Sequence, residues 1–334
     1  MKITNDLADQ YDLYYKGGDE SIYNKRFGKS LVIPSEALAI KSSLIRVIKK
    51  NYLKTKITIL DFGCGNGRLF QTVYSIISLP KYQHLCFEFI AYDPSNVGLT
   101  HFSNLLLKQG FKHTTNFSSS NTETKQGFIS HILEHTNILV KFIQANTEDD
   151  IGYIQNLLGN EIDLTLCMFG VLSHIPNKSN RRNILKMFND TLAKNGELIL
   201  SLPTAKSFPD ELIAYNKLRE QYRISLNDCY DKALRLAKEE GDLYYCKFDD
   251  NIVVNNFCHM YKIKELKADI TSSHIKLKSP VKILSIKHPF ELSDNYIYAI
   301  YDFVLSSILS YLLPYNNIKE RLAKHIIVIC EKGL

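Results

Sequence analysis

The stretch Ile57 to Leu69 reads ITILDFGCGNGRL: an apolar run, an acid, three glycines at alternate positions, then a helical pattern. No other part of the chain restricts the fold as tightly. Glycine tolerates positive φ and carries no side chain to bar a ligand, so Gly63, Gly65 and Gly67 allow a sharp turn whose backbone closely approaches a bound molecule. The amides at the start of the following helix are left open for that molecule. Asp61 stands at the carboxyl end of the preceding strand, the edge at which open α/β sheets bind ligands. As a structural element alone, the same turn is a tight strand-to-helix connection.

The glycine spacing differs from the G-x-G-x-x-G of dinucleotide-binding loops, and no Lys-Ser/Thr ends it as in a P-loop. Further strand ends follow in order. The segment Cys86 to Tyr92 runs into Asp93-Pro94-Ser95 and a helical stretch, Asn96 to Gln109. Ile138 to Gln144 leads to Asn146-Thr147-Glu148-Asp149. Asp163 to Met168 runs into Phe169-Gly170-Val171-Leu172-Ser173-His174-Ile175. Asn180 to Lys194 has helical periodicity, with Asn195-Gly196 as its expected C-cap, before a fifth strand at Glu197 to Leu202.

Taken together, residues 57–203 resemble the class I S-adenosylmethionine-dependent methyltransferases. The resemblance implies an α/β fold, a Rossmann-like, mostly parallel seven-stranded sheet with helices on both faces, plus helical insertions. It implies S-adenosyl-L-methionine as cofactor, held by Asp61, Gly63, Cys64, Gly65 and Gly67 of the first motif. Asp93 takes the ribose hydroxyls, since a carboxylate can accept from both, with Pro94 beside it. Asn146, where relatives often carry Asp, accepts from the adenine amino group, flanked by Thr147 and Glu148. Met168 and Phe169 pass beside the methyl donor, and His174 is the catalytic candidate; a packing or capping histidine is the alternative at that position.

The expected organisation is an N-terminal helical lid over 1–55, a core over 56–203 with a polar insertion at 110–137, a helical substrate cover over 204–280, and core strands over 281–334 around an inserted helix at 296–313. The lid contains Tyr11-Asp12-Leu13-Tyr14-Tyr15, and Tyr14 or Tyr15 is placed to offer a hydroxyl or a ring face to the sulfonium. Leu38 to Tyr52 and Asp210 to Glu240 have helical spacing; Val281 to Lys287 and His325 to Cys330 read as the last two strands. The insertion reads as a surface loop with one short helix. In it, His131-Ile132-Leu133-Glu134-His135 matches an H-x-x-E-H zinc pattern, but a catalytic zinc needs a third protein ligand, so no metal is expected. The apolar stretch 296–313 is too short and too interrupted, by Asp302 and serines, to span a membrane. Its tyrosines at 298, 301 and 311 suggest a buried or interface helix, and hence a homodimer.

Seven cysteines stand singly, at 64, 86, 167, 229, 246, 258 and 330, and Met1 to Gln10 is mostly polar. A reducing, cytoplasmic setting without a signal peptide is expected. The net charge of +6 allows an anionic partner such as RNA without requiring one. An Asn-Pro-Pro-Tyr-type tetrapeptide is missing after the fourth strand, and Cys167 lies within it, which disfavours adenine-amino and cysteine-nucleophile chemistry. Three functions stay open: first, with the acceptor leaning to RNA of the transfer-RNA kind, an RNA methyltransferase, suggested by the loop, the charge and a Phe257-Cys258-His259-Met260-Tyr261 segment similar to transfer-RNA wobble-uridine enzymes; second, a small-molecule methyltransferase; and last, a binding protein without catalysis.

Overall fold

The computed structural model describes residues 2–4, 11–12, 15–16, 34–114, 128–145, 151–159, 161–207, 241–249, 252–286, 296–313 and 316–333. Its centre is a sheet of ten strands. Strands β2 (Lys56–Phe62), β3 (Cys86–Asp93), β6 (Ile138–Gln144), β7 (Ile162–Cys167) and β8 (Leu192–Pro203) run parallel; β7 is buried at every residue and β8 at most. Near-continuous apolar runs of this kind are what a sheet covered on both faces needs. β13 (His325–Glu331) lies antiparallel to β8, and β12 (Lys282–Ser285) pairs antiparallel with β13. These are the seven strands expected.

Three strands are additional. β11 (Lys276–Leu277) pairs with β13, and β4 (Lys112–His113) and β5 (Phe128–His135) extend the other edge beyond β6. The insertion therefore corrects the expectation of a loop with a helix, because β5 pairs with β6 along its length and buries Leu133. The zinc-like pentapeptide is strand, which sets His131 and His135 roughly 13 Å apart along the chain. Among the described residues, no cluster of three metal-ligating side chains exists.

Helices cover both faces. On one, α1 (Pro34–Lys50) buries Ile40, Leu44, Val47 and Ile48, an i, i+4, i+7, i+8 stripe. It packs with α2 (Phe70–Ile77) and α3 (Asn96–Lys108), which contribute Phe70 and Phe102 to one aromatic cluster. On the other face lie α4 (Ile151–Leu158), α5 (Lys178–Thr191) and α6 (Ile263–Ser272). α5 stops at Thr191, not at Asn195-Gly196 as expected. The Thr191 hydroxyl turns back to Met187 O at 2.9 Å, Leu192 becomes extended, and Gly196 sits so close to β7 that a Cβ would lie 2.7 Å from Ile162 O.

α7 (Tyr296–Leu312) and α8 (Asn316–Leu322) follow β12. Asp302 and Ser310 dock α7 by accepting the amides of Ile286 (3.0 Å) and Ile283 (2.8 Å). Its outward stripe, Ile300, Val304, Ile308 and Leu312 beside Tyr301 and Tyr311, is exposed. Among the described residues no helix is long and apolar enough to cross a membrane. A smaller sheet stands apart: β9 (Asp242–Asp249) and β10 (Ile252–His259) form a hairpin, and β1 (Lys2–Thr4) adds to β10 in parallel. The expected cover over 204–280 thus contains a hairpin and α6; its expected helix at 210–240 lies outside the described residues.

Candidate active site

The strand order reverses between β2 and β7, so a crevice opens beyond their carboxyl ends. The glycine loop lies there with φ of +81°, +53° and +81° at Gly63, Gly65 and Gly67. The amides of Gly63 and Cys64 both donate to Tyr92 O, at 2.8 and 3.0 Å, which fastens the loop to the end of β3. Side chains are excluded on every side: a Cβ at Gly63 would meet Val171 at 2.6 Å, one at Gly67 would enter the Phe102 ring, and one at Gly65 would overlap the Tyr15 hydroxyl.

Asp93 accepts the Gly65 amide at 2.7 Å and the Ser95 amide at 2.8 Å, one on each carboxylate oxygen. Burial nevertheless pushes its carboxyl up to about 6, with those two bonds and the nearby Asp12 as smaller influences. Asp61 is 1% exposed and burial raises it to about 7, Arg68 opposing the rise. Its Oδ2 has no hydrogen-bond partner among the described residues. A buried carboxylate oxygen left bare is costly unless something else occupies its lone pairs. Cys64 is buried and its thiol is held well above the usual range by burial, so it shapes the loop and is no nucleophile.

Tyr14 lies outside the described residues, as do Asn146, Thr147 and Glu148. Tyr15, of the segment expected as a lid, is seen at the loop, against Gly65 and Gly98. Asp12, which sequence reading passed over, holds this segment down. Its Oδ1 accepts from Ser95 Oγ at 2.7 Å and from the Val97 amide at 3.0 Å, at the N-terminus of α3. Ser95 is that helix's N-cap, accepting from the Gly98 amide at 2.9 Å, a Ser-x-x-Gly signal legible beforehand.

Past β7, Met168 is buried and Phe169 has φ of +58°, a conformation costing a non-glycine residue about 1–3 kcal/mol. A 3-10 turn, Val171–His174, then presents His174 half-buried. Its Nδ1 lies 2.8 Å from Phe257 O on β10, and Tyr11 meets the ring edge-on at 6.4 Å. Carbonyl oxygen only accepts, so in the neutral ring Nδ1 carries the proton and Nε2 the lone pair. The rest of the segment is anchored: His259 Nε2 is 3.2 Å from Glu265 Oε2, and the Arg181 guanidinium lies 5.9 Å from the Phe257 ring. Cys167 is fully buried inside β7 with its thiol pushed up, in line with its exclusion as a nucleophile.

The donor half fits S-adenosylmethionine on its own observations. A glycine cradle closed to any β-carbon, a carboxylate at the end of β3, and a bare buried carboxylate oxygen at the end of β2 meet the needs of a ligand with a diol and cationic groups. Asp61, Gly63, Gly65 and Asp93 would hold it.

The sequence matches the family model described as "Methyltransferase domain" over residues 37–268, well over half the chain. Among solved structures, the CcbJ methyltransferase from Streptomyces caelestis is similar at 8% identity, with 97% of this chain and 98% of that one covered and a TM-score of 0.50. A S-adenosylmethionine-dependent methyltransferase from Clostridium acetobutylicum shares 12% identity, with 94% and 97% covered and a TM-score of 0.49. Comparison with curated proteins finds no match. At such identity the Streptomyces structure speaks for the fold alone; the family model goes further, and by it the chain belongs to the methyltransferase-domain family, the class I group that uses S-adenosylmethionine.

Proposed function

We propose that the protein transfers a methyl group from S-adenosylmethionine to a small acceptor carrying an ionisable oxygen or nitrogen, with His174 as general base. The donor, when bound, supplies a methyl group made electrophilic by its sulfonium. One observation carries the reading: the 2.8 Å contact of His174 Nδ1 with Phe257 O, which in the neutral ring puts the proton on Nδ1 and the lone pair on Nε2. Phe257 and Tyr11 flank that ring, and a general base so placed is worth about 10²–10⁴-fold in rate. Alignment of donor and acceptor in a shielded site supplies further acceleration.

Among the described residues, three cations of α5 favour a small acceptor over RNA. Lys178 pairs with Glu265 at 3.5 Å, Arg182 pairs with Asp269 at 2.8 Å, and Arg181 is 2% exposed against aromatic rings. An RNA track needs cations presented to phosphates. Nothing in the comparisons points to RNA. The reading extends to a reducing cytoplasmic setting, supported by free thiols at Cys64, Cys86, Cys167, Cys258 and Cys330, and to a homodimer through the exposed stripe of α7.

The test is incubation with donor labelled in its methyl group and a cell extract, followed by fractionation. Label in the small-molecule fraction that disappears with His174→Asn supports the proposal. That variant keeps an N–H for the Phe257 carbonyl and removes the base. Label in RNA would overturn the small acceptor, and tight donor binding with no label in any fraction would leave a binding protein.

A further inference from the structure

We propose that Glu36 is a positioning residue for the donor site, acting through Arg68 and Ser201 on Phe169. Glu36 is fully buried at the start of α1, more than twenty residues before the first motif, and each of its carboxylate oxygens has a partner. Arg68 Nη1 donates to Oε2 at 2.9 Å, and Ser201 Oγ donates to Oε1 at 3.1 Å. Both partners then reach Phe169. Ser201 Oγ accepts the Phe169 amide at 2.5 Å, Ser201 O accepts the Gly170 amide at 2.8 Å, and the Arg68 guanidinium lies 4.5 Å over the Phe169 ring. The contacts form a closed circuit: amide to serine, serine to glutamate, glutamate to arginine, arginine to ring.

What the circuit holds is the strained residue of the site. Phe169 and Gly170 both have positive φ, and together they turn the chain from β7 along the crevice wall. A side chain without a β-carbon would adopt that conformation unaided; phenylalanine needs surroundings that over-determine it. The circuit also joins the glycine loop, through Arg68, to the wall on the far side of the crevice, through Ser201. Stability alone does not call for this arrangement. A buried ion pair replaced on both sides by apolar residues of similar size often leaves a protein as stable as before. Such a replacement would keep the packing and lose the hold on Phe169.

The inference rests on the donor-site reading and is independent of the acceptor, so its test uses S-adenosylhomocysteine binding by calorimetry together with unliganded melting curves. Glu36→Gln and Arg68→Met should each weaken binding about tenfold, the factor of one lost charge-assisted hydrogen bond. Ser201→Ala, which leaves the ion pair in place but bares Glu36 Oε1 and the Phe169 amide, should also weaken binding and lower the melting temperature. The double variant Glu36→Met/Arg68→Met should melt close to wild type while binding as poorly as the single variants. Affinity that returns with the melting temperature in the double variant, or wild-type affinity in Ser201→Ala, would overturn the positioning role. Asp93→Ala serves as the control. If it loses affinity while the Glu36 set does not, only this proposal fails; if the wild-type protein binds no S-adenosylhomocysteine, the donor-site reading fails with it.

Discussion

The donor half of the crevice and the proposed acceptor half are built differently. The donor half is made from consecutive chain: Asp61 to Gly67 and Asp93 to Gly98, held by backbone amides to Tyr92 O and Asp93. The proposed acceptor half is assembled from remote pieces, with Tyr11 near the N-terminus and Phe257 on β10 both meeting His174 of a 3-10 turn. Backbone geometry over a few residues writes itself into glycines and acids at fixed spacing. A meeting of three distant residues leaves no such mark. The contrast predicts that damage to the first half is read in donor binding and damage to the second in turnover.

The largest effect should come from Gly65→Ala. A β-carbon there overlaps the Tyr15 hydroxyl and strains a φ of +53°. The rise in melting temperature caused by S-adenosylhomocysteine should vanish, because ligand stabilisation follows affinity. A wild-type rise would make the loop a structural turn and dissolve the comparison. On the acceptor side, His174→Asn should lower turnover by about 10²–10⁴-fold while leaving S-adenosylhomocysteine affinity within about twofold, less than 0.5 kcal/mol. Loss of affinity in that variant would mean that the halves are not separable.

Next in size is Asp93→Ala, which removes a carboxylate bridging two amides and the expected partner of the ribose. Charge-assisted hydrogen bonds of this kind are worth about 1.5–3 kcal/mol each, so affinity should fall tenfold or more. Unchanged calorimetric affinity would sink the ribose assignment.

Acidity sharpens the contrast further. Asp61 and Asp93 are both raised by burial, to about 7 and about 6. The folded state therefore holds protons that the unfolded chain, with ordinary carboxylates, releases. Without ligand, these two groups should make the protein more stable as pH falls from 8 towards 5, the opposite of a salt-bridged carboxylate. Donor affinity should run the other way, because a cationic ligand favours the ionised carboxylates. Asp61→Asn should raise the unliganded melting temperature at pH 8 and weaken binding. Melting curves in which stability and affinity move together with pH would contradict this. The smallest effect belongs to the added edge: His131→Ala with His135→Ala should leave donor binding unchanged, and bound zinc lost in that double variant would reverse the reading of β5.

The same division explains what was legible beforehand. The parallel strands, the glycine turn and the places of Asp61 and Asp93 at strand ends were readable because local backbone demands fix residue type. The strand β5 was not, since its polar flank and its H-x-x-E-H spacing suit a helix as well; pairing with β6 decided the matter. Glu36, Arg68 and Ser201 were equally silent, being common residues whose meaning lies in partners up to 165 positions away. Asp12 was in view within the tyrosine-rich lid, yet its bond to the α3 N-terminus depends on a fold that brings residues 12 and 95 together.

The parallel pairing of Lys2–Thr4 with Ile252–Val254 sets a timetable for synthesis. A ribosome adding about 5–20 residues per second reaches the partner strand roughly 12–50 s after it has made β1. By then the four strands β2, β3, β6 and β7, which carry the donor crevice, have long been available to pair. The nascent chain thus acquires the crevice, and the Ser95 and Val97 partners of Asp12, before β1 has a strand to pair with.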